Sequence, residues 1–327
     1  MNIQRRSLLL TAGALLAGAA QADTPYPSKP VTLMVPYPVG GTSDVTARTV
    51  AEPLAKLLGQ PVIVENLGGV SGALAAQKVL AASADGHYLY QGSPNEVILS
   101  PLANASVKLK AEDFRLIQPV AVAPLVIMAR KGLAVKTVDE LVDLARKSSK
   151  DRPLTYGSVG IGSFYHLITE QMAKSLGLQL VHIPYKGGAP LLQDLMGGQL
   201  DFTILPYGAP LVGMAAEGRV LALATLEPAR LEVMKEMPSV NESRQLKGFN
   251  YSIWTGYMVP RATPEAVVVK LHQALGKVLA EPKVRAELEK QGQAVAQPMP
   301  LSEASRFYAA EIERYRAVAR SINLQPQ

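Results

Sequence analysis

Val31-Thr32-Leu33-Met34-Val35-Pro36-Tyr37-Pro38-Val39-Gly40-Gly41-Thr42-Ser43-Asp44 reads as a short apolar strand running into a loop of turn residues. Beyond it Ala47, Val50, Ala51, Leu54 and Leu58 fall at i, i+3, i+4, i+7 and i+11, the stripe of an amphipathic helix that Gly59 stops. The same grammar repeats. A strand over 62–65 leads through the glycine turn 66–72 into a helix expected to end near Asp85-Gly86, and a third strand follows over 87–91. A second unit begins with a buried strand over 122–129, a helix over 137–147 and a strand over 154–156 that opens the loop Gly157 to Ser163. The next helix carries Phe164, Ile168, Met172 and Leu176 on one face and stops at Gly177. Then come a strand over 181–183, the turn 184–188, a helix over 190–196 and a strand over 200–205. Near the end Thr263 reads as an N-cap and Pro264 as the first helical residue before a helix bearing Val267, Val268, Leu271, Leu275 and Val278, and a last helix runs over 303–321. Strands alternating with helices in this way specify βαβ units and an α/β fold with mainly parallel sheets.

Composition narrows the function. A chain of 327 residues, 48% apolar and 18% charged, is long enough for a sizeable core and for two lobes. With no cysteine, disulfide scaffolds, cysteine-zinc sites, iron–sulfur clusters and thiol catalysis are excluded. Arg5 and Arg6 precede an apolar stretch over 8–20, too short to span a bilayer, and Ala20-Gln21-Ala22 is a small-x-small cleavage pattern. Residues 1–22 therefore read as an export signal cleaved after Ala22, by the general secretory or the twin-arginine route, and the mature chain as a soluble periplasmic protein. Losing that segment lowers the basic excess of 6 by the two arginines, leaving a mild surplus without a long basic run, which argues against a nucleic-acid partner.

The strand-to-helix glycine turns are where the chemistry concentrates. Unpaired N–H groups and the positive dipole end at a helix start favour an anion. Glycine lets the backbone approach it, and Thr42, Ser43, Ser71, Ser158 and Ser163 add hydroxyl donors. Named enzyme motifs fail: Gly160-Ile161-Gly162 lacks the third glycine of a dinucleotide fingerprint, no Gly-Lys-Ser/Thr loop exists, and neither Ser158 nor Ser163 sits in a Gly-x-Ser-x-Gly elbow. His87, His166, His182 and His272 show no ligand spacing, so no metal and no cofactor is expected. Several residues carry two readings each. Asp44 either meets a ligand amine or accepts N–H groups at its own helix start, and Lys186 either neutralises a carboxylate or is solvated. Asn95 is either a polar contact or a turn residue, and His166 either a site residue or an ordinary first-turn polar one. Trp254 reads as core between lobes rather than a stacking platform, while Tyr37, Tyr185 and Tyr207 are candidates for the cleft wall.

The run from Val35 through Gly40-Gly41-Thr42-Ser43-Asp44 to Arg48 resembles the opening of the Bug (TctC-like) extracytoplasmic solute receptors of tripartite tricarboxylate transport. Val64-Glu65-Asn66, Ser71-Gly72, Asp85-Gly86, Tyr156 through Gly162-Ser163 to His166-Leu167, His182 through Pro190, Gln193-Asp194-Leu195, Gly197 to Asp201 and a turn at Trp254-x-Gly256 continue it over nearly the whole mature chain. The pattern departs at Leu67-Gly68, where the family commonly has Arg-Pro, and at Glu217, where it has lysine. The resemblance implies a type II periplasmic binding protein fold, with one lobe over 24–124 plus 246–327 and the other over 125–245. It implies a monomer, not an enzyme, that closes on a small carboxylate and delivers it to membrane transporter subunits, or signals through a sensor protein. It places the grip on Gly40 to Asp44 in one lobe, and in the other on the turns Ser158 to Ser163, with Ser158, Gly160, Gly162 and Ser163 as its contacts, and Tyr185 to Gly188, with Tyr185, Lys186 and Gly187 as its contacts. Two rival readings share these residues: a hydrolase using Ser158 or Ser163 with His166, and a phosphate or sulfate receptor.

Overall fold

The computed structural model describes residues 25–148, 151–321 and 324–326; the expected export signal lies outside them. The opening stretch forms as read: β1 (Val31–Val35) pairs in parallel with β2 (Val62–Asn66), and between them α1 (Thr42–Leu58) ends at Gly59. Val31, Leu33 and Val35 pack with Val50 and Leu54 of α1, while Met34, on the opposite face, joins a different core with Tyr90. One strand thus serves two layers, as its two-residue period requires. Next come α2 (Ala73–Ala81), β3 (Tyr88–Gly92), one π-helical turn (Asn95–Leu99) and the short α3 (Ser100–Ala103). Helix α2 stops four residues before the expected Asp85-Gly86.

The main departure from the sequence reading is β4 (Phe114–Arg130), 17 residues long where a strand over 122–129 was expected. Its first part, 114–124, pairs with β9 (Ser252–Pro260), and 125–129 pairs with β7 (Phe202–Pro206). Shifts of register at Leu116/Gln118 and Pro119/Ala121 accommodate Pro119, which has no N–H for the ladder. Strand β9 also corrects the expected turn at Trp254-x-Gly256: these residues are extended in the middle of the sheet.

Two sheets therefore meet along one strand, in the order β2-β1-β3-β9-β4-β7-β5-β6. Elements β5 (Leu154–Ser158), α5 (Phe164–Leu176), β6 (Leu180–Pro184), α6 (Gly188–Met196), β7, α7 (Ala209–Ala216) and β8 (Val220–Thr225) build the second sheet and its helices, α4 (Val138–Lys147) preceding them. The pairs β1–β2, β1–β3, β5–β6 and β5–β7 are parallel; β4 and β9 join them antiparallel. The chain then returns to the first sheet with α8 (Glu265–Ala280), α9 (Pro282–Lys290), β10 (Ala294–Val295) and α10 (Leu301–Ser321). Pro264, not Thr263, caps α8: its carbonyl accepts from both Val267 and Val268, and Thr263 Oγ1 is buried without a partner among the described residues. Trp254 is core, edge-on to Phe307 and Tyr308 of α10 with its Nε1–H on Glu311. No helix among the described residues is long and apolar enough to cross a membrane.

Candidate functional site

A cavity of about 480 Å³, counting its open mouth, lies where the two sheets meet, and four helix starts reach it, those of α1, α5, α6 and α7. The β1–α1 turn contributes Tyr37, Gly41, Thr42 and Ser43; α6 contributes Gly188 and Leu192; β7 and α7 contribute Leu205, Pro206 and Leu211. Val159 and Tyr165 close the remaining wall. A smaller adjoining cavity shares Tyr37, Thr42, Ser43, Tyr165 and Pro206 and adds Ser93, Thr255 and Gln293. None of these lining side chains is ionised. Yet the N–H groups of Gly41, Thr42 and Ser43 find no acceptor among the described residues, as the first turn of a helix dictates. The carbonyl of Gly41 accepts from Val45, so the turn is a proper helix start, and Gln91 Nε2 holds the Ser43 carbonyl at 2.8 Å. The cleft is thus an apolar container with neutral donors at one end, suited to an anion with an apolar body.

The structure brings only part of the expected set to this cavity. Tyr37, Gly41, Thr42 and Ser43 line it; Gly40 and Asp44 do not. Asp44 is buried and turned back on its own helix, accepting from Gly40 N at 3.0 Å and Arg48 Nε at 3.1 Å. Burial works against its charge, but the Arg48 guanidinium, the Gly40 N–H and the Asn66 amide outweigh it and hold the carboxyl below its ordinary range. It is occupied within its own turn.

The loop expected to grip from the other side is satisfied within the protein. Ser158 Oγ donates to the Gly160 carbonyl at 3.0 Å and lies 2.7 Å from His182 Nε2, and Gly160 N–H donates back to it at 3.2 Å. Ser163 is the N-cap of α5, accepting from His166 N, while Gly162 N–H donates to His166 Nδ1 at 3.0 Å. That bond fixes a neutral His166 with its hydrogen on Nε2. Burial lowers its pKa, and burial with the stacked His166 ring pushes His182 down to about 3. Ser158 therefore meets His182 rather than His166, is fully buried, and lies outside the cavity wall. Of this loop only Val159 reaches the cavity.

The remaining expected residues support the wall from behind or stand apart. Asn95 Oδ1 accepts from Phe164 N at 2.7 Å and so fills the start of α5, and its Nδ2 donates to Tyr37 Oη. Ser71 donates to the Ile161 carbonyl at 2.8 Å, and a Cβ on Gly160 would fall 2.4 Å from its Oγ. Gly187 lies against Pro38, where a Cβ would come within 2.4 Å of Cδ, and its neighbour Gly188 is the residue in the wall. Tyr185 donates to Asp194 at 2.8 Å; burial and that carboxylate push its phenol up to about 12. Lys186 is exposed, and Tyr207 is buried beside Gly292. The sequence reading missed Tyr165, Leu192, Leu205, Pro206 and Leu211. Gly188 closes the expected grip turn Tyr185 to Gly188 and does line the cavity, at the point where α6 begins.

Two sheets sharing a strand, with a donor-ended cavity at their junction, define a two-lobe solute-binding protein of the periplasmic type. The chain belongs to the tripartite tricarboxylate transporter family receptors, whose model matches residues 46–324. It is 35% identical over 97% of its length, and 91% of the relative's, to the UPF0065 protein in the TAR-I ttuE-ttuC' intergenic region of Agrobacterium vitis. Among solved structures it is similar to MatC of Rhodopseudomonas palustris with bound malate, with TM-score 0.83, 29% identity, and 90% and 99% of the two chains covered. An R. palustris protein with adipate gives TM-score 0.85, 29% identity and coverage of 92% and 100%.

Proposed function

We propose that this protein is a periplasmic receptor that captures a small mono-, di- or aromatic carboxylate by closure of its lobes and delivers it to a tripartite tricarboxylate-type membrane transporter, without catalysing a reaction. The lobes comprise 24–124 plus 246–327 and 125–245; the change of β4 partners at Pro124/Leu125 supports that division. The observation that carries the reading is the unpaired N–H row of Gly41, Thr42 and Ser43 opening on an apolar cavity that α6 also reaches with its first residue. A carboxylate takes several neutral N–H bonds there without a buried cation, which would be costly to desolvate in the empty cleft. Malate and adipate in the related structures make dicarboxylates the first ligands to test.

Thermal melting with malate, adipate, an aromatic acid and inorganic phosphate separates the ligand classes. A compound at a hundred times its Kd adds about 2.7 kcal/mol and raises the melting temperature visibly. Stabilisation by phosphate alone would replace the carboxylate reading with an oxyanion one. The Thr42→Pro variant then locates the site. Gly41 has φ −81° and ψ 168°, which suits a residue before proline, and proline is well tolerated at the first helical position. The change removes one N–H and one hydroxyl while leaving α1 intact. Hydrogen bonds to a charged group contribute about 1.5–3 kcal/mol, so affinity is expected to fall about 10- to 100-fold with melting of the free protein unchanged. Unchanged affinity places the ligand elsewhere.

A further inference from the structure

One hydrogen bond behind the cavity wall lies a carboxyl that the reading above leaves without a role. Glu96, in the π-helical turn after β3, is fully buried and forms no ion pair with a Lys, Arg or His among the described residues. Its Oε1 accepts from Tyr37 Oη at 2.6 Å and Ser93 Oγ at 3.0 Å, and its Oε2 from Ser93 N at 2.5 Å. Tyr37 and Ser93 are themselves cavity residues. On the other side Gly72 packs directly on its stem, where a Cβ would fall 2.3 Å from Cγ. The titratable groups interacting with it are all tyrosines: Tyr37 in the β1–α1 turn, Tyr90 in β3, Tyr165 in α5 and Tyr308 in α10. Burial, first of all, raises each of those phenols, so they stay neutral and Glu96 is the group there that changes charge.

We propose that Glu96 makes capture of an anionic ligand proton-linked: as a carboxylate settles against Tyr37 and Ser93, Glu96 takes up a proton from solvent. The inference rests on the carboxylate reading above. Its physical basis is that a second negative charge beside a buried, cation-free carboxylate disfavours ionisation of that carboxylate. The hydrogen-bond pattern also changes direction. Ionised Glu96 holds the Ser93 hydroxyl hydrogen. Once an O–H bond forms at Oε1 it donates to Ser93 Oγ, which already accepts from Asn95 N at 3.2 Å. The Ser93 hydrogen must then turn outward, and the cavity that Ser93 lines gains a donor for the ligand. Burial, partly offset by the Tyr37 and Ser93 donors, brings the Glu96 pKa up to about 7, so the proton is exchangeable near neutrality.

Calorimetric titration with adipate and with malate at pH 6 and pH 8.5, in two buffers of different protonation enthalpy, tests this. The ligands' own carboxyls titrate below that window, near 4–5. For wild type we expect affinity about tenfold weaker at pH 8.5 and net proton uptake near pH 7; Glu96→Gln is expected to show neither. In the wild-type protein, a carbon-13 titration of the Glu96 carboxyl should show its midpoint rise by about one pH unit on saturation with adipate, the shift equivalent to tenfold in affinity. An unmoved midpoint, or equal affinity at both pH values without proton uptake, overturns the proposal. Failure of every carboxylate to bind at either pH overturns the receptor reading instead.

Discussion

Gly162→Val is expected to weaken adipate or malate binding more than 100-fold while leaving the protein folded. Gly162 has φ +75°, and a Cβ there would lie 1.9 Å from Ala103 Cβ in α3. Positive φ alone costs a valine about 1–2 kcal/mol, and the overlap is irreconcilable with the present approach of the two segments. The 159–163 loop must therefore withdraw from α3. It carries Val159, leads into Tyr165, and receives the Ser71 hydroxyl on Ile161, so one side of the cavity goes with it. Gly177→Ala is the control: φ is +64°, no atom lies within 4 Å of its Cβ, and only a conformational cost of about 1 kcal/mol applies, with binding intact. Calorimetry on both variants decides it, and a Gly162→Val protein binding within threefold of wild type refutes the assignment of this loop.

The second large effect is on stability. Trp254→Ala is expected to cost about 3–5 kcal/mol, read as a lower urea midpoint. The ring is 3% exposed and packs edge-on against Phe307 and Tyr308, with centroids at 5.5 and 6.1 Å. Its Nε1–H donates to Glu311 Oε2 at 2.8 Å, and Glu311 itself is buried. Truncation opens a large void and removes a donor from that carboxylate, although Arg314 stays near it at 3.3 Å. Trp254→Phe keeps an aromatic ring against α10 but loses the hydrogen bond and part of the indole's volume, so about 1–3 kcal/mol is expected. A loss under 1 kcal/mol for the alanine variant would mean that α10 does not depend on this contact.

Strand, turn and helix from Val31 to Gly59 were legible because everything needed is local: a short apolar run, turn residues, one amphipathic stripe, one terminating glycine. Strand β4 was not, since Gln118 and Pro119 look like a break and only the shifted register against β9 shows how proline is carried inside a sheet. Gly256 read as a turn for a similar reason. Its partner is remote: a Cβ there would come 2.6 Å from Leu116 Cδ1 on the neighbouring strand. Within the site, the α1 start followed from sequence, but the serines of the 157–163 loop did not reveal that they would be occupied by His182 and His166. Ser158 and His182 are 24 positions apart and meet only because β5 pairs with β6. Glu96 gave no local signal at all, because an acidic residue beside Asn95 reads as surface until the π-helical turn buries it.

The 17-residue strand common to both sheets has a thermodynamic corollary. Frayed β4 would deprive β9 and β10 of partners on one side and β7 and β8 on the other, so neither half has an intact margin along which to melt by itself. Heating should then yield one calorimetric peak whose van't Hoff and measured enthalpies coincide, with the amides of 114–130 among the slowest to exchange.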